Sequence, residues 1–174
     1  MKLRVLVCLS MAAAATLSAQ NNLMTATMQR YFIPVQREIE AGAEQMPADK
    51  YNYKMTPDQM SFAEWVNHST ERNYLDCSTL RGEPNPMPKA KTDMLKEKAE
   101  IVKNLKESFA YCIATFDKLD DAKILSDQKF VVSYLHTVVH NNEIYGNMVG
   151  YLRLNGILPP STAMMQQMQK GKKK

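Results

Sequence analysis

No glycine-rich phosphate loop, no dinucleotide fingerprint and no Cys–x–x–Cys pair occurs in these 174 residues. The first two absences remove the backbone cradles that hold nucleotide phosphates, and the third removes thioredoxin-like redox chemistry. No serine stands in a recognisable nucleophile setting beside a base. Lys and Arg form no stripe interleaved with aromatics, so nucleic acid is not an expected partner. Strand-like alternation bounded by turn signals is missing as well. A membrane-spanning helix takes about 20 apolar residues, and no stretch of this chain reaches that length, so no membrane span is expected.

The one apolar run, residues 5–15, sits behind Lys2 and Arg4. Small residues Thr16, Ser18 and Ala19 close it, and polar Gln20, Asn21 and Asn22 follow. A positive start, a short apolar centre and a small-residue exit predict a secretory leader over residues 1–19 and an exported mature chain beginning near Gln20. Cys8 stands too early, with unsuitable neighbours, for a lipid-attachment site. Loss of the leader leaves Cys77 and Cys112. An even pair in an oxidising compartment suggests a disulfide, with two buried thiols as the other reading. The formal charge of +4 falls to about +2 once Lys2 and Arg4 leave. Much of that remainder is the tail, Lys170 and residues 172–174, which reads as a flexible, solvated, Met-rich end from residue 162 onward, with a short helix from Ala163 as the alternative.

Between leader and tail, four segments carry helical periodicity. In residues 23–46, Met24, Met28, Tyr31, Val35, Ile39 and Ala43 recur at three- and four-residue steps and line one face. Pro34 lacks an N–H and clashes with the preceding turn, so it should kink or divide that helix. Pro47 and Pro57 mark a long connection. Ser61 then opens a second helix to about Leu80, with Glu64 completing a capping box. Pro84, Pro86 and Pro88 interrupt. A third helix, residues 97–119, carries Ile101, Leu105, Phe109, Cys112 and Phe116 on one stripe. A polar link at Asp120 and Asp121 leads to a fourth, residues 128–155, which ends at Gly156 ahead of Pro159 and Pro160. The expected architecture is all-α: an antiparallel four-helix bundle with a kinked first helix, one domain over residues 20–161.

The chain has three histidines. His136 and His140 lie one turn apart on the fourth helix, a spacing that suits two ligands of one metal ion or equally the wet face formed with Ser133, Glu143 and Asn147. His68 sits mid-way along the second helix in a polar waist of Ser69, Thr70, Glu71, Arg72 and Asn73. Such a waist between apolar ends suggests a helix facing a polar pocket inside the bundle. Gly146 and Gly150 suggest close approach of a neighbouring backbone. The thirteen methionines read as core filler and tail.

The fourth helix carries His140, Asn141, Asn142, Glu143, Ile144, Tyr145 and Gly146, then Tyr151, Leu152, Arg153, Leu154 and Asn155, and Gly156, Pro159, Pro160 and Ser161 follow it. This phrase resembles the DinB family of metal-binding four-helix bundles, particularly its secreted members. His68 matches the family's first histidine. Tyr51, Asn52, Tyr53 and Lys54, with Thr56, Pro57 and Gln59, resemble the lead-in to that helix. Cys77 and Cys112 stand where secreted members carry cysteines.

The resemblance implies a divalent metal held by one histidine of the second helix and a His–x–x–x–His pair of the fourth. Zinc is the first expectation, with nickel and iron as alternatives. It further implies a metal-dependent hydrolase or a thiol-dependent transferase acting on a small molecule. Here His68 and His140 match two ligand positions, but the third falls on Ile144, which has no donor atom. His136 is one turn the other way and would complete a shifted triad of His68, His136 and His140. The alternative is a bundle that has lost the metal and binds a small molecule or a protein without catalysis. A homodimer is compatible with either.

Overall fold

The computed structural model describes residues 22–171, and these contain helices and no strand. The expected leader, residues 1–19, lies outside the described residues, as do Lys172, Lys173 and Lys174. Seven α-helices follow in order: α1 (Leu23–Gln45), α2 (Phe62–Arg81), α3 (Lys89–Thr92), α4 (Lys98–Phe116), α5 (Asp121–Leu125), α6 (Gln128–Leu154) and α7 (Pro160–Gly171). The four long helices are those that the periodicity predicts, with ends within a few residues. None of the described helices is long and apolar enough to cross a membrane.

Local chemistry explains where the helices begin and end. Ser61 caps α2: its hydroxyl accepts from the Glu64 N–H at 3.2 Å while the Glu64 carboxylate accepts from the Ser61 N–H at 2.6 Å. The bond from the Ser61 N–H is the main cause that holds the Glu64 carboxyl below its ordinary range, against desolvation, which raises it. Gly82 ends α2 and Gly156 follows α6, both at positive φ (70° and 72°), where a side chain would strain the backbone. Pro34 lies inside α1 without dividing it. The cap of α1 comes from far along the chain: the two Asp121 oxygens accept the N–H groups of Met24 and Thr25, each at 2.8 Å.

One core joins the long helices. Phe32 of α1 meets Phe109 and Phe116 of α4, with ring centroids 5.5 and 5.0 Å apart, and Phe116 meets Tyr134 of α6 at 4.8 Å. Buried tyrosines turn their hydroxyls to backbone carbonyls, Tyr134 to Thr25 at 2.9 Å and Tyr51 to Ala43 at 2.6 Å. Burial pushes both phenols well above their ordinary range. α2 packs against both α4 and α6, and α1 against α6 and α4. A disulfide between Cys77 and Cys112, Cα atoms 5.4 Å apart, ties α2 to α4.

Three details differ from the sequence reading. The polar links hold short helices, α3 behind Pro88 and α5 capped by the Asp120 carboxylate. The tail is helical through Gly171 as α7, entered at Pro160, whose missing N–H costs nothing in a first turn. Of the two α6 glycines only Gly150 meets a neighbour, and that neighbour is the Met55 side chain, 3.2 Å from where a Cβ would stand; around Gly146 there is open space. The close helix approach is instead at Gly42 of α1, where Met148 and Leu152 of α6 leave 3.3 and 3.4 Å.

Candidate functional site

The polar waist of α2 divides between two surroundings, because residues four apart share a helical face and residues one apart do not. Ser69 and Asn73 point into the core. The Ser69 hydroxyl donates to Asn141 Oδ1 at 2.7 Å, Asn141 Nδ2 donates to Asn73 Oδ1 at 2.8 Å, and Asn73 Nδ2 donates to Ser108 Oγ at 3.1 Å. All four residues are fully buried. They form a hydrogen-bonded strip joining α2, α6 and α4, where a polar pocket was expected. Buried amides and hydroxyls must find partners, and here they find each other.

His68, Glu71 and Arg72 turn the other way and line an open cleft of about 580 Å³ that runs to Lys89, Asp93 and Lys96. At its inner side His68 meets His140: the two Nε2 atoms are 2.8 Å apart, with the rings at 89°. Each imidazole is held from behind. Glu71 Oε2 lies 3.2 Å from His68 Nδ1, and Glu143 Oε2 lies 2.9 Å from His140 Nδ1. A carboxylate at Nδ1 favours the tautomer with the proton there, which leaves each Nε2 with a lone pair. Two such lone pairs at this separation repel unless a cation, a proton or a metal ion, lies between them. Burial holds the His68 imidazole below its ordinary pKa, His140 adds to this, and Glu71 opposes it. A neutral imidazole is the form that binds metal.

His136 stands beside the pair. Its ring stacks on that of His140, with centroids 4.6 Å apart and planes at 26°. Its Nδ1 lies 2.6 Å from Asp76 Oδ2, and Arg72 Nη2 donates to the other Asp76 oxygen at 3.2 Å. Burial raises the Asp76 carboxyl above its ordinary pKa, and the His136 hydrogen bond and Arg72 charge offset part of that. Ile144, one turn after His140, is wholly buried in the core.

The donor set is therefore two convergent imidazoles, with the third stacked alongside. Among the described residues no group of three His, Cys, Asp or Glu is already arranged around one point. Imidazoles on one tetrahedral zinc stand roughly 3.3 Å apart. A pair at 2.8 Å would have to open slightly to take a divalent cation, and two protein ligands alone would hold it weakly. Spacing brought out all three histidines. It missed Glu71, although the signal was present: His–x–x–Glu occurs on both helices, at His68 and at His140. Asp76 gave no signal, since its partner lies 60 residues away.

A family model described as the DinB superfamily matches residues 32–143, from α1 to the turn of α6 that bears Glu143. The match includes His68, His136 and His140 and ends one residue before Ile144. No curated protein and no solved structure matches the chain.

Proposed function

The chain belongs to the DinB superfamily, and on that premise we propose that it is an exported protein with a divalent-metal site between His68 and His140. The proposal includes the finer architecture: an antiparallel four-helix bundle of α1, α2, α4 and α6 over residues 20–161, bent at Pro34, with a leader before it and a basic tail after it. The disulfide supports export, because such bonds persist in oxidising compartments.

The observation that carries the reading is the pair of Nε2 atoms 2.8 Å apart, each imidazole backed by a glutamate. Glu71 and Glu143 fix the tautomers and aim the rings. Rotation of His136 away from Asp76 supplies a third ligand. Zinc suits imidazole and imposes no geometry, so it is the first candidate, followed by nickel and iron. Such an ion supplies Lewis-acid polarisation or a water of lowered pKa, which is the chemistry of a hydrolase or of a transferase that activates a thiol. The cleft beside His68, with Glu64, Lys89, Asp93 and Lys96 in its wall, takes a small polar molecule.

One observation favours a second reading. Ile144 offers no donor and fills core space, as expected of a bundle that kept the scaffold, lost the metal and binds a ligand without catalysis. Elemental analysis of protein expressed with zinc supplied separates the two. Stoichiometric metal in the wild type, lost in His68→Ala and in His140→Ala, supports the metal site; loss in His136→Ala as well establishes the shifted triad. Metal-free wild-type protein ends the metalloprotein reading.

A further inference from the structure

Helix α7 carries a cluster of metal-ligating side chains that the histidine site does not use. Met164, Met165 and Met168 stand on it 46%, 53% and 54% exposed. Met46 and Met148 do what methionine ordinarily does and fill the core, wholly buried. No residue of α7 is buried, so its methionines fill no core. Met168 lies four residues after Met164 and three after Met165, which makes it the helical neighbour of both. Each thioether sits on three rotatable bonds, so the three sulfurs can turn to one point above the helix. From Pro160 to Gln169 the helix has no charged side chain and no histidine, so no carboxylate or imidazole on it draws a harder ion instead.

The groove between α7 and α1 points to the charge of the ligand. It encloses about 320 Å³ and is lined by Pro34, Arg37, Glu38, Ala41, Pro160 and Met164. Glu38 is half-buried there. Burial pushes its carboxyl above the ordinary range, and no neighbouring positive charge offsets this. Arg37 is next to it in sequence, but adjacent residues of a helix do not face each other. A cation held at Met164 would supply the missing charge.

We propose that Met164, Met165 and Met168 form a binding site for a soft monovalent metal ion, Cu(I). Thioether ligands select that ion. Cys77 and Cys112 are joined to each other, so neither offers a competing thiolate. The site is separate from the pair of His68 and His140, and neither reading depends on the other.

The test is anaerobic titration of the purified protein with Cu(I) against a chromogenic Cu(I) chelator, followed by NMR of methyl-labelled methionine. The wild type takes up one Cu(I), and the methyl signals of Met164, Met165 and Met168 shift while those of Met46 and Met148 stay. Met164→Leu, Met165→Leu and Met168→Leu each weaken binding by about tenfold or more, and the triple substitution abolishes it. Helical circular dichroism is unchanged, because leucine is as apolar as methionine and as good a helix former. Protein carrying both His68→Ala and His140→Ala binds the ion as the wild type does. A wild type that takes up no Cu(I) overturns the proposal. So does copper binding that survives the triple substitution, or that is lost with the two histidines. If the methionines served only as an apolar contact for a membrane or a protein, leucine would replace them without loss and no copper would be held.

Discussion

Asn141, the residue after His140, donates its side-chain amide to Asn73 Oδ1 at 2.8 Å, and both residues are buried in the centre of the molecule. The bond fixes α6 against α2, and the Ser69 hydroxyl on Asn141 Oδ1, one residue after His68, fixes it a second time. The two histidines therefore face each other because the residues beside them are locked beneath them. Asn141→Ala leaves the Asn73 side-chain oxygen and the Ser69 hydroxyl without these partners. The expected cost is about 2–4 kcal/mol, read as a lower urea midpoint. If Asn141→Ala is as stable as the wild type, the strip does not set the helix register.

Ile144→His places an imidazole where the resemblance in sequence implies a third ligand. In metal-free protein a buried imidazole in place of an aliphatic side chain lowers stability by roughly 1–3 kcal/mol. Added zinc reverses the loss and binds at least about tenfold more tightly than to the wild type, since a third ligand converts a weak pair into an open catalytic-type site. Calorimetric titration with zinc measures both effects. Equal affinity in the two proteins would mean that residue 144 does not face the ion.

Double replacement of Cys77 and Cys112 by alanine frees a loop whose ends are 35 residues apart in sequence. The chain-entropy model assigns such a crosslink roughly 3–4 kcal/mol. Chemical denaturation of the wild type with and without reductant, set beside the double variant, checks the value. A midpoint that ignores reductant would show that the bond contributes nothing to stability.

Acid should loosen the start of α1. Desolvation tends to raise the Asp121 carboxyl, but the N–H bonds from Met24 and Thr25 outweigh it, and its pKa is lowered from 3.8. A group depressed on folding stabilises the protein fully above its unfolded pKa, and that stability is lost as pH falls through the folded value. The loss therefore begins near pH 3.8 and runs downward. Asp121→Asn is expected to remove about 1 kcal/mol near neutrality and to flatten the acid limb of the stability profile. An unchanged limb in thermal melts between about pH 2 and 5 would refute the capping role.

Export is checked at the N-terminus. Sequencing of protein recovered outside the cytoplasm should begin near Gln20, after the small-residue exit at Ala19. A chain that keeps residues 1–19 and accumulates in the cytosol would contradict the leader.

The sequence by itself determined the helices. Apolar spacing, the Ser61–Glu64 box, Gly156 and the prolines are local signals, and each acts within one or two turns, so each could be read without a partner. It also put His68, His136 and His140 on two helices, and it paired the cysteines because only two remained once the leader was set aside. What only the tertiary structure decided are contacts between residues far apart in the chain. Which half of the α2 waist would be buried depended on α4 and α6, which supply Ser108 and Asn141 as partners. That His68 and His140 meet through Nε2 while His136 turns its Nδ1 to Asp76 depended on how α2 and α6 cross. The cap of α1 by Asp121 and the open surroundings of Gly146 have the same origin. A side chain's partner is set by packing between helices, and a single helix's periodicity gives its face but not the residue that will stand opposite.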